Sequence, residues 1–324
     1  MKNEPKELID LQKRMHLKSA AWLAAGTAIG TRTAVAQEQT ADTTRFFPGF
    51  KQSKVQTSGA AINVLKGGSG PPLLLLHGAP QSHISWRLVA PELAKHYTVI
   101  ATDLRGYGDS STPEGGENYA NYSKRAMALD QVEVMREFGF KRFPVIGHDR
   151  GGRVAHRMAL DHPDVVEKLA AIDIVPTYYL YTHVTIEFVQ AYYHWFAYLR
   201  PAPVPENELL AQVEARRARA TTDVAKEYLR TTSRPENIHA MCDDYRAGAS
   251  IDLQHDAADL NKKIKCPLLV LWGERAPMGK IYDVLKIWKE RGTHVAGKSL
   301  PGGHTLQEDV PEQFVSETLA FLKA

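Results

Sequence analysis

Residues 147–153 read Gly-His-Asp-Arg-Gly-Gly-Arg, and they follow directly on the apolar run Phe143-Pro-Val-Ile146. A buried strand that passes through Gly-x-Asp-x-Gly into a helix leaves few architectures open. The strained turn and the close approach of helix to strand leave no room for side chains at the flanking positions, and the central residue is pushed out at the end of the strand. Here that residue is Asp149. A serine in its place would run acyl transfer. A carboxylate can instead attack a saturated carbon and form an alkyl ester that water then cleaves. An aspartate before a helix can also be a simple N-cap; the glycines on both sides argue for the elbow.

The rest of the chain alternates strand and helix around this motif. Pro71 and Pro72 introduce Leu73-Leu-Leu-Leu76, and Tyr97-Thr-Val-Ile-Ala-Thr102 is a second continuous apolar run, as expected of strands buried on both faces. It ends in the Gly-punctuated turn Asp103-Leu-Arg-Gly-Tyr-Gly-Asp109. Residues 120–138 have helical spacing, the elbow helix runs to about His162 before Pro163, and Lys168–Val175, Pro267–Trp272 and Thr293–Leu300 read as further strands. Alternation in Ala60–Leu65 suggests an antiparallel leading strand. The pattern predicts an α/β fold with a mostly parallel, doubly wound sheet. Residues 177–262 break the rhythm: they show helical stretches, no β pattern and a dense aromatic set, and are expected to form an inserted helical cap between core segments 46–176 and 263–324.

Composition excludes several classes. At 44% apolar and 24% charged the chain is ordinary for a globular protein. The net charge of +3 resides wholly in the first 36 residues, which carry six cations against three acids, so the remainder gives no electrostatic case for nucleic acid. Cys242 and Cys266 are too few for a disulfide framework or zinc site and are expected to be buried free thiols. No metal motif, P-loop or dinucleotide fingerprint appears, so no cofactor is expected; Gly67-Gly-Ser-Gly70 reads as a turn.

The N-terminus reads as an address. Lys13-Arg14-Met-His-Leu17-Lys18 precedes a weakly apolar stretch from Ser19 to Gly30, and Ala34-Val-Ala36 supplies a small-x-small cleavage site. Residues 1–36 resemble a twin-arginine export signal, with Lys13 standing where the first arginine belongs, followed by a polar linker over 37–45. The expectation is a periplasmic protein starting near Gln37, or a cytoplasmic one if the signal does not function. The apolar stretch is far short of the ~20 residues a membrane span requires, so no membrane association is expected after the signal is removed.

Two further groups complete a constellation with Asp149. His304, in Gly302-Gly-His304, lies in a loop after the last expected strand and is the natural general base for water attacking an ester. Either Asp173, ending Leu169-Ala-Ala-Ile-Asp173, or Glu274, after Leu271-Trp-Gly273, could orient its imidazole. The chain order nucleophile, acid, histidine resembles that of the α/β-hydrolases. In that fold the loop at His77-Gly-Ala-Pro80 would supply an oxyanion donor from the backbone of Ala79, with the amide of Arg150 as the second.

Arg150 and Arg153 share one face of the elbow helix. Cations at a helix N-terminus oppose its dipole, at a cost of a few tenths to about 1 kcal/mol each. Two there point to an anion that they bind. Bringing a substrate carboxylate within about 4 Å of a nucleophilic carboxylate costs on the order of 4 kcal/mol at an effective dielectric near 20. A pair of guanidiniums offsets that repulsion and fixes the substrate for in-line attack. An ion-pair network is the structural alternative for Arg153.

From about residue 46 onward the sequence resembles the haloacetate (fluoroacetate) dehalogenases of the α/β-hydrolase superfamily. The residues that carry the resemblance are His77-Gly-Ala-Pro80, Gly147–Arg153, Asp173, His194-Trp195, Tyr245-Arg-Ala-Gly248 and Gly303-His304. It implies Asp149 as nucleophile, Asp173 and His304 as the rest of a triad, Arg150 and Arg153 on the substrate carboxylate, and His194, Trp195 and Tyr245 on the departing halide. Imidazole, indole and phenol are near-neutral donors suited to that task, although each taken singly reads as core packing. The implied partners are a small anionic substrate and water, with a homodimer as one assembly open to the chain. The competing reading is an epoxide hydrolase using the same aspartate with cap tyrosines. Haloalkane dehalogenases fit less well, since Arg150 stands where they resemble one another in a tryptophan. A non-catalytic acid binder on this fold is expected to lack a triad member, and none is missing.

Overall fold

The computed structural model describes residues 43–324; the expected export signal lies outside them. Eight strands form one sheet in the order β1-β2-β4-β3-β5-β6-β7-β8. They are β1 (Lys51–Gln56), β2 (Ala61–Gly67), β3 (Pro72–Leu76), β4 (Thr98–Thr102), β5 (Phe143–His148), β6 (Val166–Ile172), β7 (Leu268–Gly273) and β8 (Val295–Leu300). β2 pairs antiparallel with β1 and with β4, and every other neighbour is parallel.

The continuous apolar runs form the central strands because both faces of the sheet are covered. In β3, Leu74 and Leu76 belong to one hydrophobic cluster and Leu73 and Leu75 to another, and all four are fully buried. Burial of each such side chain contributes about 1.5–3 kcal/mol. Helices α1 (Lys124–Glu137) and α2 (Asp149–Asp161) bury their apolar stripes in the first cluster.

Between β6 and β7 the chain forms eight helical segments and no strand, over the expected cap. These are α3 (Thr177–Thr182), α4 (Ile186–Ala191), α5 (His194–Ala197), α6 (Val204–Ala211), α7 (Val213–Arg219), α8 (Asp223–Thr232), α9 (Pro235–Gly248) and α10 (Ile251–Ala258). α11 (Pro311–Lys323) closes the chain.

Three expectations need correction. The leading strand expected at 60–65 is β2, and β1 precedes it. Lys51-Gln-Ser-Lys-Val-Gln56 buries only Val55, as suits the edge of a sheet, and so carries no hydrophobic signal. The end of the expected 37–45 linker already belongs to the fold: Thr43 is buried, with its hydroxyl 2.8 Å from His83 Nε2. The strand expected to run to Val175 stops at Ile172, because Asp173 turns into the left-handed region at φ +52°.

Both cysteines are free, Cys242 buried and Cys266 half-buried. Among the described residues no helix is long and apolar enough to cross a membrane.

Candidate active site

β3 and β5 are neighbours at the point where the strand order reverses, and their carboxyl ends define the crevice where open α/β sheets place ligands. Asp149 projects there from the turn between β5 and α2. Its φ of +46° is strained for a residue with a side chain. The flanking glycines allow the turn: a Cβ on Gly147 would lie 2.5 Å from the Gly151 carbonyl oxygen, and one on Gly151 would lie 2.4 Å from that of Leu76. The buried Asp149 accepts a hydrogen bond at Oδ2 from the Ala79 amide, at 3.0 Å. Burial pushes its pKa up, but His304 and the Arg153 and Arg150 guanidiniums outweigh it and hold the carboxyl at about 2. It is ionised at any ordinary pH.

The loops around it are fixed through hydrogen bonds to histidines. His77 donates from Nδ1 to the Gly78 carbonyl at 2.8 Å and accepts at Nε2 from the Leu104 amide at 3.0 Å, which locks the turn carrying Ala79. His148 donates from Nε2 to the His304 carbonyl at 2.8 Å and accepts at Nδ1 from Gln307 at 3.3 Å. Burial depresses the His148 pKa to about 3, so it stays neutral and keeps this tautomer. The sequence reading overlooked His148: the variable place in Gly-x-Asp carries no spacing signal, and its partners lie more than 150 residues away.

His304 donates from Nδ1 to Asp173 Oδ2 at 2.6 Å, and Asp173 Oδ1 accepts the Gly273 amide at 2.9 Å. That pairing leaves Nε2 of the imidazole as its free lone pair. Burial lowers the His304 pKa, but the hydrogen bond to Asp173 and the charge of Asp149 outweigh it, and the net shift is upward. Glu274 is exposed and accepts from the Ser299 hydroxyl at 3.2 Å. Of the two candidate acids, Asp173 is the one on the imidazole.

The two arginines differ in their partners. Arg150 is fully buried and forked onto Asp244 of α9: Nε donates to Oδ2 at 2.8 Å, and Nη2 donates to Oδ1 at 2.8 Å and to the Asp244 carbonyl at 2.6 Å. Asp244 also accepts from the Tyr107 hydroxyl at 2.6 Å and pairs with Lys124. The expected ion-pair alternative therefore falls on Arg150 and not on Arg153. Arg153 donates from Nη1 to the Val175 carbonyl at 3.0 Å and to Thr177 Oγ1 at 3.1 Å, and forms no ion pair among those found between described residues. Burial brings its pKa down to about 10, against the opposing pull of Asp149. Arg150 Nη1 and Arg153 Nε are buried N–H groups without a hydrogen-bond partner among the described residues.

The cap delivers the aromatic residues onto these guanidiniums. Arg153 lies 4.6 Å and Arg150 5.5 Å from the centre of the Trp195 ring, and Arg150 lies 4.3 Å from that of Tyr245. Trp195 and Tyr245 pack edge to face at 5.6 Å, and His194 meets Tyr245 at 5.8 Å. The cap residues that titrate near Asp149 are held neutral, Tyr192 by burial. Tyr245 is pushed well above its usual value by burial and by the Asp149 charge, and His194 is lowered by burial. Apart from Glu274, the residues singled out from the sequence are thus drawn into one region; Asp244 joins His148 as a member that the sequence did not disclose.

Residues 71–311 match the family described as the alpha/beta hydrolase fold. The chain is 44% identical to a fluoroacetate dehalogenase from Burkholderia sp, over 82% of this chain and 91% of that one. It is 32% identical to a soluble epoxide hydrolase from Corynebacterium sp. (strain C12), over 82% of this chain and 94% of that one. A solved chain from Nostoc sp PCC 7120, described as an α/β hydrolase, superposes with a TM-score of 0.82 at 50% identity, covering 86% of this chain and 99% of that one. An aspartate-bearing elbow, a histidine–aspartate pair at the ends of later strands and a helical insertion after β6 are carried on a shared sheet, and the chain belongs to the α/β-hydrolase fold family.

Proposed function

We propose that this protein is a hydrolytic dehalogenase that converts a small 2-haloacid to the 2-hydroxy acid through an ester on Asp149. The observation that carries the proposal is the pair of buried donors Arg150 Nη1 and Arg153 Nε, unpartnered and on the same helix turn as an ionised carboxylate. Buried cationic N–H groups are costly unless something accepts from them. A substrate carboxylate meets that need, and the similarity to the Burkholderia fluoroacetate dehalogenase supports the same substrate class.

In this mechanism the guanidiniums hold the substrate carboxylate, and Asp149 attacks the halogen-bearing carbon from the face opposite the halide. The C–O bond forms as the C–X bond breaks, and X⁻ leaves with the bonding pair toward the N–H and O–H groups of His194, Trp195 and Tyr245. His304 Nε2 then takes a proton from water as its oxygen attacks Cγ of the ester. The Ala79 and Arg150 amides hold the tetrahedral oxyanion. Its collapse breaks the ester C–O bond as the proton on His304 passes to the departing oxygen, releasing the 2-hydroxy acid inverted at carbon; loss of the water's second proton to solvent restores the Asp149 carboxylate.

A single turnover of bromoacetate in ¹⁸O-water tests the route. The expected product carries ordinary oxygen, while the label appears in Asp149; label in the first product would mean that water attacks carbon directly. An epoxide hydrolase reading has its own observation. The Tyr181 and Tyr192 hydroxyls of the cap are buried, unpartnered among the described residues and held protonated by burial. Diol from styrene oxide, with no halide from chloroacetate or fluoroacetate, would favour it.

A further inference from the structure

A cavity of about 270 Å³ opens beside the candidate site, between the cap helices α6 to α9 and the loops at Ala79–Pro80 and Gly106–Gly108. It meets the site at Ala79, His194 and Tyr245, and its wall is built by Tyr198, Leu209, Ile238 and Met241. Neither Arg150 nor Arg153 lines it, so its room is additional to that of a haloacetate seated on the guanidiniums.

Most of the polar groups in the wall are engaged with neighbours. Asn237 is spent on the Gly106 and Gly108 carbonyls at 3.4 and 3.1 Å, and the Thr231 and Thr232 hydroxyls are spent on the Tyr228 carbonyl at 3.2 and 2.8 Å. Arg216 donates to the Thr232 carbonyl at 3.2 Å and to its hydroxyl. Apart from these groups and Gln212, the wall is aliphatic and aromatic surface. Tyr245 separates the two environments, with Arg150 4.3 Å from its ring centre and the cavity along its edge. A substrate with its carboxylate on the guanidiniums and its α-carbon at Asp149 can therefore extend into a mainly apolar space, past Ala79 and His194.

We propose that this chamber receives the α-substituent of the substrate, making the natural substrate class 2-haloalkanoates with an unbranched tail of about three to six carbons. The assignment rests on the haloacid reading above and deepens it. Each methylene moved from water into such a wall is worth about fourfold in affinity.

The test is steady-state bromide release by the full chain from bromoacetate, 2-bromobutanoate and 2-bromohexanoate. KM should fall at least tenfold from the first to the last, although kcat falls at the more hindered carbon. Leu209→Trp and Met241→Phe, which fill the chamber from two sides, should abolish that gain and leave bromoacetate within about twofold. Bromoacetate turned over with no gain from the tail overturns the chamber assignment and leaves the haloacid reading standing. Variants that slow both acids alike make the chamber an entry channel and also overturn it. If no acid releases bromide, the haloacid reading has failed, and calorimetry of hexanoate against acetate still decides the chamber. Hexanoate binding at least tenfold tighter supports it, and equal affinities reject it.

Discussion

Asp149, Asp173 and His304 stand on backbone, whereas Trp195 and Tyr245 stand on packing and on the Asp244 fork. The first group sits at strand ends, with its oxygens on the amides of Ala79 and Gly273. The second comes from a helical insertion whose polar attachment to the core here is a side-chain network: Asp244 on Arg150, Lys124 and Tyr107. Asp244 is adjacent in sequence to Tyr245, so one turn of α9 both clamps a core arginine and sets a candidate halide donor. On the haloacid reading the sheet provides the nucleophile and base and the cap the leaving-group pocket, and Asp244 ties the two together beside the Arg230–Asp109 pair and the Asn237 bonds to the Gly106 and Gly108 carbonyls.

Substitutions should separate the two halves. The largest effects are expected in the core. Asp149→Asn should abolish turnover, a loss of roughly 10⁴-fold or more, as for removal of a triad member. It should leave the melting temperature nearly unchanged, since an amide oxygen still accepts from Ala79. His304→Gln should stop steady-state turnover almost as completely while still releasing one halide per enzyme. The ester it traps should be visible as added mass on the peptide containing Asp149. A His304→Gln enzyme that releases no halide at all would break the division of labour.

Asp244→Asn addresses the attachment. It leaves Arg150 and Lys124 buried with half their compensation, and breaking a buried pair costs about 3–5 kcal/mol. At roughly 2–4 °C per kcal/mol for a chain of this size, the melting temperature should drop by roughly 10 °C. KM for haloacids should rise as Arg150 Nη1 loses its aim, with smaller losses on a neutral substrate. A fall in stability with KM unchanged would make Asp244 a mere anchor. Trp195→Phe should be milder still: about 10–100-fold in the first-turnover halide rate, below the ~10²–10³-fold for loss of an oxyanion-hole donor because two other donors remain, with no ester accumulating.

The same contrast explains what the sequence disclosed. The elbow, the strand runs and the glycine-flanked histidine are local patterns tied to backbone geometry, so Asp149 and His304 could be placed from neighbouring residues alone. Asp173 and Glu274 could not be separated in that way, because both follow apolar strands; the choice turned on which side chain reaches the imidazole. His194, Trp195 and Tyr245 were legible only through resemblance, since single aromatic residues on helices read as core. The Arg150–Asp244 fork spans 94 positions and has no periodicity to betray it. β1 escaped because an edge strand buries one residue and leaves no pattern. The chamber escaped because its wall is assembled from several cap helices and two loops far apart in sequence.

The smallest expected effect concerns pH and divides the halves once more. The first half-reaction needs only an ionised Asp149, whose carboxyl is held at about 2, so the halide burst should be flat down to pH 4. The second needs neutral His304, whose pKa is raised, so steady-state turnover should fall tenfold per unit as pH drops below that value. The sign for stability is the reverse. A raised pKa stabilises the fold below the ordinary histidine value and loses that contribution as pH rises through the shifted one. Part of the upward shift comes from the Asp149 charge, which is absent once Asp149 is esterified. The inflection in kcat should therefore lie below the pKa of His304 titrated by NMR in the free enzyme. Coincident values would mean that Asp149 does not become neutral during turnover, and the ester would have to be abandoned.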